Sequence, residues 1–162
     1  MSSTEELASI EIRLAQVYDH LVRELGRASN ATRLGLRGYG ATWGEFADAL
    51  RAWMRVERDV LFPAIDRALP ACTDRARLGL EHDALERTLG RASAQLDYGG
   101  REELLETAQA ALFILYRHGV RARRRYGAQL DRALAAAERL TLLADLPRPA
   151  NDAALPAAAL AS

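Results

Sequence analysis

The chain has 162 residues, of which 49% are apolar, and its 22 basic residues, all arginine, balance 22 acidic ones. That length supports one domain with a sizeable core, and a formal charge of zero gives no electrostatic case for nucleic acid or an anionic membrane. The lack of lysine excludes Schiff-base chemistry, and a lone Cys72 excludes an internal disulfide or a cysteine-rich zinc site.

Ser3 with Glu6 reads as a capping box, and Leu7, Ile10, Leu14, Val17, Leu21 and Leu25 follow at helical spacing, so a first helix is expected from about residue 4 to the low thirties. Gly35, Gly38 and Gly40 break the pattern. Thr42 with Glu45 forms a second capping box, and Phe46, Leu50, Trp53, Val56, Val60 and Leu61 carry a second helix to Pro63, where the rod should kink or end. Beyond the turn at Leu69–Asp74, a third helix spans about 74 to 96, with Leu78, Leu85 and Leu89 on one side, and stops at Gly99-Gly100. A fourth begins near Arg101, holds Leu104, Leu105, Ala108, Leu112, Leu115 and His118, meets an interruption at Gly127, and resumes to about Leu143.

No segment alternates as a strand does, so the expected fold is all-α, an up-down-up-down four-helix bundle over residues 1–145. Residues 146–162, rich in proline and alanine, are expected to be a disordered or surface-draped tail. The N-terminus lacks the basic start and apolar run of a signal peptide, and no run approaches a membrane span, which together point to the cytoplasm.

His20, His82 and His118 are the only histidines, and each falls within a helical, apolar-periodic segment. Two of them open similar phrases: Asp19-His20-Leu21-Val22-Arg23-Glu24-Leu25-Gly26-Arg27-Ala28-Ser29 and Glu81-His82-Asp83-Ala84-Leu85-Glu86-Arg87-Thr88-Leu89-Gly90-Arg91-Ala92-Ser93. They coincide except for a two-residue offset, so the chain reads as a duplicated helical hairpin. Three imidazoles at one depth of successive helices predict a shared interior site; the competing explanation is core histidines bonded to buried acids or carbonyls.

His20 on helix one, Trp53-Met54-Arg55-Val56-Glu57-Arg58-Asp59-Val60-Leu61-Phe62-Pro63 on helix two, Glu81-His82 on helix three and His118 on helix four resemble the hemerythrin family in its bacterial HHE form. The resemblance covers roughly residues 10 to 132 and implies a hemerythrin-like bundle that holds iron between its helices. It implies His20, Glu57, His82 and His118 as metal ligands. Trp53 stands where the family has a histidine, Arg58 where a second glutamate is common, and Ala122 where a bridging carboxylate is expected. Two close cations need bridging carboxylates to offset their repulsion, so a di-iron centre is disfavoured and a mononuclear two-histidine, one-carboxylate site is the expectation, binding O2 or NO or supporting an oxidation. A heme with a histidine axial ligand is a further occupant, although no attachment motif is present.

Glu24 and Glu86 each follow a histidine by four residues and either replace lost ligands or pair with surface arginines. Trp53 reads as filler and pocket wall, and Tyr18 and Tyr116, two residues before a histidine, are expected to point elsewhere and are assigned no chemistry. Arg117, Arg121, Arg123, Arg124 and Arg125 surround the position of the missing carboxylate. They support a second functional class: a metal-free enzyme or binding protein for an anionic small molecule, of a kind that suits specialised metabolism, with His82, His118 and Arg121 as candidate catalytic residues and Arg58 beside them. The alternative for these arginines is a solvated, salt-bridged face. A third class is an interaction protein, including one that pairs with its own copy as a homo-oligomer.

Overall fold

A computed structural model describes residues 9–71 and 74–149, and all regular structure among them is helical. Helix α1 spans Ile10–Arg33, α2 Tyr39–Val56, π1 Glu57–Leu61, α3 Phe62–Ala68, α4 Arg75–Tyr98, α5 Arg101–Val120, π2 Arg121–Gly127, α6 Ala128–Ala133 and α7 Ala136–Asp145. The capping box expected at Ser3 and Glu6 lies outside the described residues, as do Cys72 and residues 150–162 of the tail.

The start of α1 is secured by Ser9, whose Oγ accepts the Ile12 N–H at 3.2 Å. Asp131 adds a long-range cap: its carboxylate accepts the Ser9 hydroxyl at 2.8 Å and the N–H groups of Ile10 and Glu11 at 2.8 and 3.1 Å. The negative charge meets the positive end of the helix dipole and ties α1 to α6. Between α1 and α2 the chain turns on Gly35 and Gly38, whose φ values of 61° and 79° lie in the left-handed region that side chains disfavour. Helix α2 begins at Tyr39, one turn before the expected Thr42 cap; the Thr42 hydroxyl instead donates to the Tyr39 carbonyl at 2.7 Å, within the first turn.

The expected break at Pro63 takes the form of a π turn. Pro63 has no N–H to give, and just ahead of it the Phe62 N–H reaches back five residues to the Glu57 carbonyl. The extra residue per turn keeps Trp53, Glu57, Leu61 and Ile65 buried at successive four-residue steps. The π turn π2 does the same for His118, Ala122, Tyr126 and Leu130. Both irregular turns therefore begin at the level where the polar residues enter the core.

Helix α1 packs against α2, α5 and π2, while α4 packs mainly against α5. Their inward faces close one core from Ile10, Leu14, Leu21 and Leu25 of α1, Phe46 and Leu50 of α2, Leu78 and Leu85 of α4, and Leu104 and Leu115 of α5. Each such side chain contributes about 1.5–3 kcal/mol by leaving water. Helix α7 folds back over one end: Leu142, Leu143 and Leu146 are buried, and the Arg13 guanidinium donates to the Leu146 carbonyl at 3.3 Å. Of the expected tail, then, Leu146 belongs to the core. Among the described residues no helix is long and apolar enough to cross a membrane.

Candidate metal centre

On α1, positions 14, 18, 21, 25 and 28 form the buried stripe, and on α4 positions 78, 82, 85, 89 and 92 do. His82 therefore faces the interior, whereas His20, more than half a turn from Tyr18, is only half-buried. The π turn carries Glu57 inward from α2, and the stripe of α5 carries His118. Glu57 is completely buried, and His82 and His118 are 3% and 1% exposed.

Glu57 Oε2 lies 2.7 Å from Nε2 of His82 and 3.1 Å from Nε2 of His118, and its Oε1 is 3.2 Å from the latter. The Tyr18 hydroxyl donates to Oε1. On the far side of His118, Nδ1 is 2.9 Å from Glu81 Oε2, and the other oxygen of Glu81 is gripped by the Arg121 guanidinium. The two imidazoles are 5.0 Å apart between centroids, and His82 stacks on Phe62 at 5.1 Å.

Charge in this cluster is set by its neighbours. Burial pushes the Glu57 carboxyl up, but the adjacent His118 and His82 outweigh it and hold the group down to about 2. Burial likewise pushes His118 down, yet Glu57 and Glu81 on its two sides raise it to about 9. For Glu81, too, burial acts upward and is overcome, by His118 and Arg121, so the group is lowered. Burial and the Glu57 charge together drive the Tyr18 phenol well above its usual value. At neutral pH the site thus centres on an ionised Glu57 carboxylate that accepts from the Tyr18 phenol and faces a charged His118.

Glu57, His82 and His118 also form a group whose ligand atoms all lie within 4.8 Å of one another. Two nitrogens and a carboxylate oxygen are the donor set that suits a divalent transition metal, and neighbouring ligands at about 2.1 Å from such an ion sit about 3 Å apart. The separations of 2.7 and 3.1 Å about Oε2 match that edge length. Glu81 accepts a hydrogen bond from Nδ1–H of His118, which would leave Nε2 as the metal-facing atom and holds the ring. The residues fit a single ion.

Of the four expected ligands, Glu57, His82 and His118 come together and His20 stands outside the group. Tyr18, assigned no chemistry, is in contact with Glu57. The signal for it was present in the register Leu14-Tyr18-Leu21-Leu25, which puts position 18 rather than 20 on the core stripe. Glu81 was also missed as a partner of His118. Glu24 and Glu86 bind Arg27 and Arg51 on the surface and do not replace ligands. Trp53 packs perpendicular to Tyr18 with centroids 5.8 Å apart, as filler and wall. Tyr116 is exposed.

Arg121, expected to offer a free guanidinium, is engaged by Glu81, and Arg125 pairs with Asp74 at 2.7 Å. Arg58 is exposed and lines a groove of about 530 Å³ between α3 and α4, together with Phe62, Arg75, Gly79, His82 and Asp83. His82, although buried, lies on the inner wall of this groove. Compared with protein-family models, curated proteins and solved structures, the chain matches none.

Proposed function

We propose that the protein is a divergent hemerythrin-like four-helix bundle, up-down-up-down in topology, that binds one iron ion through Glu57, His82 and His118. The observation that carries this reading is the fully buried Glu57 carboxylate with its Oε2 against the Nε2 atoms of both imidazoles. A buried charge is costly unless it meets compensating groups, and three aligned donors converging from separate helices are a large investment for packing alone. When bound, a ferrous ion with three protein ligands would supply open positions for a small diatomic ligand or an oxidation. The residues of the chain would do the rest. Glu81 holds His118 by Nδ1, Arg121 holds Glu81, Tyr18 takes Oε1 of Glu57, and the Phe62 ring covers His82.

Iron rather than another divalent metal follows from the resemblance of the Trp53–Pro63 and Glu81-His82 phrases. The anion-binding alternative relies on a free inward arginine, and Arg121 is paired. Anaerobic reconstitution of the purified protein with ferrous ion, followed by elemental analysis, tests the proposal. It should give about one equivalent per chain in the wild type and little in Glu57→Ala or His82→Ala. Less than about a tenth of an equivalent in the wild type would overturn it.

A further inference from the structure

We propose that Tyr18 is a positioning residue of this site: its hydroxyl holds Oε1 of Glu57, which orients the carboxylate so that Oε2 is the oxygen within reach of both imidazoles. The inference rests on the metal-binding reading above. Tyr18 is 5% exposed, and its ring is wedged edge-on between Trp53, at 5.8 Å, and His118, at 5.7 Å. Room for it exists because residue 119 is glycine. A Cβ there would lie 2.9 Å from Tyr18 Cγ and 3.3 Å from Tyr18 Cβ, atoms too near the backbone of α1 to swing away. The residue next to a ligand thus lacks a side chain at the place where Tyr18 must approach.

The consequence concerns the number of oxygens Glu57 can give. A carboxylate can chelate one ion with both oxygens, or bridge two ions with one oxygen each. The Tyr18 hydrogen bond occupies one lone pair of Oε1 and fixes the orientation of the carboxylate, so chelation or bridging through that oxygen would compete with a charge-assisted hydrogen bond at a buried site. The arrangement therefore favours Glu57 as a ligand through Oε2 to a single cation.

Cobaltous ion is the probe, since its visible bands respond to the number and arrangement of its ligands. Wild type, Tyr18→Phe, Gly119→Ala and Trp43→Phe are titrated with cobalt alone, and their unfolding midpoints are measured without metal. Tyr18→Phe keeps the ring and its packing; Gly119→Ala presses on the same ring without altering any ligand. Trp43→Phe removes a different buried hydrogen bond, from the indole N–H to Thr32 at 3.0 Å, and so reports on destabilisation alone.

The expected result is one cobalt per wild-type chain, a fall in affinity of about 10–100-fold with altered bands in Tyr18→Phe, and a loss in the same direction in Gly119→Ala. Trp43→Phe should unfold earlier yet bind cobalt as the wild type does. Wild-type affinity and bands in a folded Tyr18→Phe would overturn the inference and leave the metal reading standing. A phenolate-to-iron absorption band in ferric wild type that Tyr18→Phe lacks would also overturn it, by making Tyr18 a ligand. No cobalt uptake by the wild type, together with none of iron, overturns both.

Discussion

Tyr18 in α1 holds the place that His82 holds in α4. The buried stripes of the two helices align as Leu14 with Leu78, Tyr18 with His82, Leu21 with Leu85, Leu25 with Leu89 and Ala28 with Ala92. Along α2 into π1 and α5 into π2 the stripes align as Leu50 with Leu115, Trp53 with His118 and Glu57 with Ala122. The first hairpin contributes a phenol, an indole and a carboxylate, and the second contributes two imidazoles and a methyl group. Glu57 is the one carboxylate of these aligned positions, and its Oε2 is the oxygen shared by both imidazoles.

His20, outside that register, should be dispensable for metal binding. His20→Ala is expected to keep cobalt affinity within about twofold of wild type, as suits a substitution away from the site. A loss comparable to that of His82→Ala, measured by the same titration, would mean that α1 turns in solution to bring His20 inward.

Glu81 acts on His118 through Nδ1, so Glu81→Gln should weaken metal binding without abolishing it, by about 10–100-fold. Competition with a chromophoric chelator measures this. The loss should be smaller than in His118→Ala, which removes the ligand itself.

The metal-free protein, held in chelator, should be most stable in a window of mildly acidic pH. Glu57 is lowered from 4.5 to about 2, so its contribution is complete above 4.5 and is lost as pH falls toward 2. His118 is raised from 6.5 to about 9, so its contribution is complete below 6.5 and is lost as pH rises through 9. Denaturant midpoints across pH should therefore decline on both sides, and His118→Gln should remove the alkaline decline.

Gly119→Ala should destabilise the fold by about 1–3 kcal/mol, the usual cost of forcing extra volume into a packed interior, because the new Cβ meets Tyr18 at 2.9 Å. Gly26→Ala, where an added Cβ meets nothing within 4 Å, is the control and should be neutral or stabilising in urea unfolding.

Asp131→Ala should cost about 2 kcal/mol, since it removes a charged acceptor from the Ser9 hydroxyl and from two N–H groups at the start of α1. Asp131→Asn should recover part of this. Faster hydrogen exchange confined to the first turn of α1 would locate the effect.

The sequence by itself determined where the helices run, because apolar periodicity, glycines and proline act locally: the ends of α4 and the start of α5 fall within two residues of expectation. Of the buried cluster, His82 and His118 could be read from their place in apolar-periodic segments, whereas Glu57 was implied by the family resemblance of the Trp53–Pro63 phrase. Only the tertiary structure decided between Tyr18 and His20. The repeated phrases match at their histidines, but two extra residues before Leu89 rotate one relative to the other by more than half a turn, and burial follows the rotation rather than the match. The pairing of Glu81 with His118 and Arg121 was likewise beyond local reading, because it joins side chains of α4 and α5 whose meeting depends on how the helices are set against each other. Helix faces are a property of spacing along the chain; partners across the core are a property of packing.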